Sequence, residues 1–264
     1  MIFMSNKRSY ILSLINLRII WIFKLSVCLS LSGVAAEERH FNITPFILYE
    51  QAPERIVIDG VSTRYGLGVL GGEAKLYSSS KFESYIRLGL GYNNNQSVSF
   101  SQANFDGPVT GAFAEFRIKR QIGKVQDINF AIEGIFAHRD LKADELDGER
   151  NGLKLSGEST SSISSLDTLI TSNLDLSHKT SVGASLGGAY WNLKADAAAL
   201  YSANGVTATA RKSIDTKGFD PLVSIFLDHK INGSNLLFKL SNRSLHSKAN
   251  TSIVSGELLW KFAF

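Results

Sequence analysis

Cysteine occurs once, at Cys28, and proline only 4 times in 264 residues. A chain with one thiol near its N-terminus cannot be held by internal disulfides, and Cys-based metal sites and thiolate catalysis fall with them. Past residue 36 there is no run of about 18 apolar residues, so no later helix is expected to cross a bilayer. Helical periodicity is almost absent as well. Net charge is the last thing missing. The formal charge is +4, but Lys7, Arg8, Arg18 and Lys24 all lie in the first 36 residues, which carry no acid. Setting those four aside leaves 24 Lys and Arg against 24 Asp and Glu. With no basic surplus there is no charge argument for a nucleic-acid partner.

The first 36 residues place positive charge first, an apolar stretch next, and Ser32-Gly33-Val34-Ala35-Ala36 last. This is the pattern of a secretory signal peptide cleaved after Ala36, so residues 1–36 are expected as leader and 37–264 as one exported domain. A retained anchor would bury Arg18 and Lys24, at about 2.5–3.5 kcal/mol each at a helix centre.

From His40 onward the chain alternates apolar and polar residues in short segments broken by Gly-, Asn- and Ser-containing turns. That is the period of a strand. The segments fall near 40–49, 64–77, 81–92, 108–120, 127–138, 165–176, 180–191, 193–203, 205–213, 220–230, 235–243 and 251–264. In the third, Phe82, Ile86, Leu88, Leu90 and Tyr92 share one face, against Glu83, Arg87 and two glycines on the other. Short connections such as Ser78-Ser79-Ser80 and Asn232-Gly233 alternate with longer polar ones at 50–63, 93–107, 139–164, 214–219 and 244–250. Asn-Gly suits a two-residue hairpin because both central residues take positive φ.

The closing stretch TSIVSGELLWKFAF sets Val254, Leu258, Trp260, Phe262 and Phe264 on one face, and Glu257 and Lys261 on the other. It resembles the closing strand of bacterial outer-membrane β-barrels, which typically ends in a terminal Phe. GFDPLVSIFLDHKINGSNLLFKLSNRS together with that stretch looks like the last three strands of the OmpA/OmpX-type barrels, and YIRLGLGY at 85–92 is similar to strands of that family. Combined with the leader and the turn asymmetry, the expectation is an all-β, transmembrane, antiparallel up-and-down barrel. It would have twelve strands, or ten or eight if the weak Ser/Thr/Ala-rich pairs are loop. Single-chain bacterial barrels have even strand numbers, short periplasmic turns and longer outer loops. Apolar faces then meet lipid, and polar faces line the lumen.

The lumen face is expected to carry Glu83, Arg87, Glu115, Arg117, Lys119, Glu133, Lys194, Asp196, Lys239, Glu257 and Lys261. Leu258, Trp260, Phe262 and Phe264 form the expected assembly signal. The resemblance implies the outer membrane of a Gram-negative cell as location, with lipid, lipopolysaccharide and the outer-membrane assembly machinery as partners. Two roles follow from the lumen charges. One is a narrow, porin-like channel for ions or small polar solutes, which twelve strands favour; the other is a plugged structural or surface-interaction barrel.

No cofactor, metal or catalytic residue is expected. Gly66-Leu67-Gly68-Val69-Leu70-Gly71 matches a dinucleotide fingerprint but continues into a strand, where the motif needs a helix. Gly183-Ala184-Ser185-Leu186-Gly187 matches a nucleophile elbow, again inside a strand. Outer-membrane phospholipases and deacylases share a His-x-Ser pairing, and none of His40, His138, His178, His229 and His246 has Ser two residues on. His178, with Thr180, comes nearest, so a barrel hydrolase is the weakest expectation. Asp140, Asp144, Glu145, Asp147 and Glu149 lack the register of a calcium loop and read as solvated loop charge.

Overall fold

A computed structural model describes residues 43–261, apart from 151–152, 204–205, 233 and 250. The expected leader, Phe262 and Phe264 lie outside the described residues. What is described is β-strand joined by turns: β1 (Ile43–Gln51), β2 (Ile56–Ile58), β3 (Val61–Arg64), β4 (Gly66–Ser78), β5 (Phe82–Phe100), β6 (Ala103–Val125), β7 (Ile128–Arg150), β8 (Leu153–Asp175), β9 (Thr180–Ala203), β10 (Val206–Ile231), β11 (Ser234–Ser244) and β12 (Ser252–Lys261).

All twelve strands belong to one antiparallel sheet, and ten of them close into a ring. β1 pairs with both β4 and β12, and β4 through β12 pair in succession. The other two, β2 and β3, form a hairpin through Asp59 and Gly60 (φ 49° and 80°) and attach to the upper part of β5. The twelve strands are therefore not the twelve expected. Segments 180–191 and 193–203 are one strand, as are 205–213 and 220–230. The stretches 93–107, 139–164 and 214–219, expected as loops, are mostly strand.

The long strands β6 to β10 run 23 to 26 residues each. A tilted strand crosses a bilayer in roughly 9–11 residues, so each continues well beyond a membrane on one side. The outward face shows where the crossing lies. Leu88, Leu90 and Tyr92 on β5, Ile132 and Phe136 on β7, Leu166 and Ile170 on β8, and Leu186 and Tyr190 on β9 are all exposed. So are Phe219, Val223, Ile225 and Leu227 on β10 and Leu258 and Trp260 on β12. Together they form an apolar belt around the ring. Glu73, Arg87, Glu133, Lys239 and Glu257, pointing the other way, are buried. Charge inside with aliphatic and aromatic side chains outside inverts a soluble barrel and suits one bathed in lipid.

Above the belt the polarity reverses. There β8, β9 and β10 turn Thr160, Lys194, Asp196 and Asp215 outward, while Phe100, Phe105, Leu146, Leu155, Ala199 and Ile214 pack inside with the β2–β3 hairpin. The Phe100 and Phe105 rings stack with centroids 5.0 Å apart. Bulges at Asn93/Gln96 and Ala143/Leu146 displace the alternation of β5 and β7 by one residue, which carries apolar side chains across to the inside. Pro108 falls in the irregularity of β6, where no ladder N–H is required of it.

Candidate functional site: the barrel interior and its upper rim

The interior is braced by three arginines, each reaching a strand that is not its neighbour. Arg87 on β5 lies 2.6 Å from Glu73, 3.4 Å from Glu115 and 2.8 Å from Glu257 on β12. Arg139 on β7 grips Glu50 on β1 through both Nε and Nη2, and Tyr65 donates to the same carboxylate at 2.7 Å. Burial, with the Glu50 carboxylate beside it, pushes the Tyr65 hydroxyl well above the usual tyrosine range. Arg243 on β11 donates to Asp167 on β8. The guanidinium of Arg87 covers the Phe46 ring at 5.4 Å, that of Arg139 covers Phe113 at 5.1 Å, and the two rings meet edge to face. Gly71 makes room: a Cβ there would come within 2.7 Å of the Phe46 ring.

What remains between these groups is a cavity of about 80 Å³. Arg117, Arg139, Lys239 and Arg243 line it, opposed by Glu50, Glu115, Asp167 and Glu257. Four cations against four carboxylates leave no net charge to attract an ion of either sign. Below it, a vestibule of about 670 Å³ opens at the end of the short turns and is lined by Lys81, Lys119, Lys124, Asn129 and Thr171, among others.

Of the residues expected in the lumen, Arg87, Glu133, Lys239 and Glu257 are buried there, while Glu115 and Arg117 form an ion pair at 2.9 Å among them. Lys119 reaches Glu133 at 3.6 Å, and Glu83 pairs with Lys75 at 3.4 Å nearer the short turns. Lys194 and Asp196 belong elsewhere. Because β9 is continuous from Thr180 to Ala203, their parity follows Tyr190, and both are exposed on the outer face, bonded to Asp215 and Ser213. For Lys261 only the backbone is described, paired with Asn235.

Glu50, Glu73, Arg139, Asp167 and Arg243 were missed. The signal for two of them was parity. Arg243 follows Lys239 and Ser241 on one face, and Arg139 follows Glu133 into a stretch read as loop.

The hydrolase candidates do not meet: Ser185 is buried in the interior against Thr171 at 2.9 Å, and His178 lies in an exposed turn. Gly66–Gly71 is part of β4, with no helix after it. A different serine and histidine do meet. His138 on β7 and Ser164 on β8 are register partners on the outer face just above the belt, with Nδ1 and Oγ 2.8 Å apart. Asp140 Oδ2 is 3.1 Å from the other ring nitrogen.

Solved structures share this architecture. The fold is that of an outer-membrane β-barrel. The translocator domain of the autotransporter NalP from Neisseria meningitidis is similar over 86% of this chain and 90% of its own, at 14% identity and a TM-score of 0.52. The outer-membrane protease OmpT from Escherichia coli is similar over 86% of this chain and 97% of its own, at 8% identity and a TM-score of 0.52. At such identities the likeness concerns the fold alone. No family model matches the chain, and no curated protein matches it in sequence. The barrel thus agrees with the resemblance carried by its last three strands.

Proposed function

We propose that the protein is a closed outer-membrane barrel that works as a rigid platform outside the membrane, and that it is not a pore. The observation that carries this reading is the apolar core formed above the belt by Phe100, Phe105, Leu146 and Leu155 with the β2–β3 hairpin. A channel needs a continuous polar path; here the charged interior ends under a packed apolar layer. The cross-lumen arginine pairs add a second obstruction. The basic vestibule favours the channel reading at one end only.

The platform has an open edge. Above Leu222, where pairing with β11 begins, β10 from Val206 to Lys217 pairs with β9 alone among the described residues. Unpaired strand edges accept an extended segment of a partner, and Arg211, Lys212 and Lys217 are charges of the kind that keep such an edge from self-pairing. Lipopolysaccharide and lipid meet the belt, and the assembly machinery reads the closing strand, whose Leu258 and Trp260 point outward.

The test is topological. Ser156→Cys and Asp215→Cys, introduced singly, should react with a membrane-impermeant maleimide in intact cells. Ile170→Cys should not react, and Lys124→Cys should react only once the periplasm is opened. Labelling of Lys124→Cys but not Ser156→Cys in intact cells would reverse the orientation and end the proposal.

A further inference from the structure

We infer that Ser164, His138 and Asp140 form an esterase site on the outer wall of the barrel, acting on long-chain acyl esters of membrane lipids. The geometry is that of a nucleophile, a base and an orienting carboxylate. The Ser164 hydroxyl is 2.8 Å from His138 Nδ1, and His138 Nε2 is 3.1 Å from Asp140 Oδ2. When the Nε2 proton is donated to Asp140, Nδ1 is left as an acceptor aimed at the serine. The three residues come together for a simple reason. His138 and Asp140 are two apart on β7 and so share a face, and the register sets Ser164 directly across from His138.

The neighbouring strand adds a further part. Asn192 of β9 is the register partner of Ser164 on its other side, and its Oδ1 is enclosed without a hydrogen-bond partner. An amide oxygen only accepts, so an oxyanion donor at this position would have to be the Nδ2 group of Asn192. On β6 the residue opposite His138 is Ala114, so no bulky group from that strand crowds the imidazole.

Position selects the substrate. Phe136, Leu166 and Tyr190, the uppermost belt residues of β7, β8 and β9, lie two residues below His138, Ser164 and Asn192 respectively, and all three are exposed. The site thus sits where acyl chains end and ester linkages begin. Lys217, exposed and opposite Asn192, continues the row and gives an anionic headgroup a counter-charge.

The reaction balances with water as the only co-reactant. Ser164 Oγ attacks the ester carbonyl carbon while its proton passes to His138 Nδ1. The acyl carbon–oxygen bond breaks, and His138 returns the proton to the departing alkoxide. Water then attacks the acyl-serine, giving its proton to His138. The fatty acid leaves, and the proton goes back to Ser164 Oγ. Ser164 and His138 are the catalytic residues, and Asp140 is a positioning residue.

The experiment uses the full-length protein refolded into vesicles, one set made of phosphatidylethanolamine and phosphatidylglycerol and a second also containing lipid A. Released fatty acid is measured in both, and labelling of Ser164 by a fluorophosphonate is measured by peptide mass. Release in either set, with an adduct on Ser164, is expected. Ser164→Ala, which removes the nucleophile, should abolish release, and His138→Ala should lower it by at least roughly 10²–10⁴-fold, the usual worth of a general base, while heat-modifiable migration on gels shows the barrel intact. Asp140→Asn should lower kcat and leave KM unchanged. Ser185→Ala, on the interior face, should change nothing. An intact wild-type barrel that releases no fatty acid from either vesicle, or activity that survives Ser164→Ala, would overturn the site.

Discussion

Arg87 Nη2 and Glu257 Oε1 stand 2.8 Å apart, although β5 and β12 are separated in the ring by β4 and β1. The pair crosses the lumen. Glu73 and Glu115 complete a set of three carboxylates around one guanidinium whose side chain is only 3% exposed. Removing one partner of a buried ion pair is costly, about 3–5 kcal/mol, because the remaining charges are uncompensated. Arg87→Met should lower the urea-unfolding stability of the refolded barrel by about that amount, and Glu257→Gln in the same chain should restore part of it. Equal stability of wild type and Arg87→Met would mean that water, and not the arginine, solvates these carboxylates.

The polarity reversal makes a positional prediction. Ile170 and Thr160 lie on the same strand and the same outward face, one in the belt and one above it. Ile170→Arg should destabilise by about 2–4 kcal/mol, as an arginine on the lipid face does near the midplane. Thr160→Arg should stay within about 0.5 kcal/mol, as exposed surface substitutions do. Unfolding titrations in matched vesicles would show the contrast, and equal effects would contradict the position of the belt.

Phe105 is wholly buried in the upper core. Phe105→Ala should cost about 3–5 kcal/mol of local stability, the usual price of emptying an aromatic site. Its effect should be confined to the region above the membrane. Protease added outside should cut β5, β6 or β7 near their upper turns, while the belt fragments remain protected and heat-modifiable.

Deleting Phe264 should impair assembly of the barrel without affecting its export, so that the chain accumulates in the periplasm. Quantitative fractionation checks this, and normal membrane levels would remove the terminal Phe from the assembly signal.

The barrel class, the lipid face and most of the lower lumen were legible because a membrane strand repeats every two residues, and below the upper belt edge β5 and β7 keep that period while β6 breaks it only near its short turn, at Gln121/Gly123. The upper half was hidden for physical reasons. Where the strands leave the lipid the inside becomes apolar and the outside polar, so the chain there reads as Ser-, Asn- and Asp-rich loop. Bulges at Asn93/Gln96 and Ala143/Leu146 then break the parity. Lys194 and Asp196 were misassigned because 180–191 and 193–203 read as two strands parted at Asn192, a point where β9 continues. The His138–Ser164 contact is 26 residues long-range in sequence. It depends on the register between β7 and β8, which no local spacing encodes.

Planar-bilayer recording of the refolded wild-type protein bears most directly on the closed interior. The braces between Arg87 and Glu257, Arg139 and Glu50, and Arg243 and Asp167, under the apolar layer around Phe100 and Phe105, predict a silent membrane with no unitary current steps. Reproducible steps from wild-type protein, abolished when the protein is denatured, would contradict it.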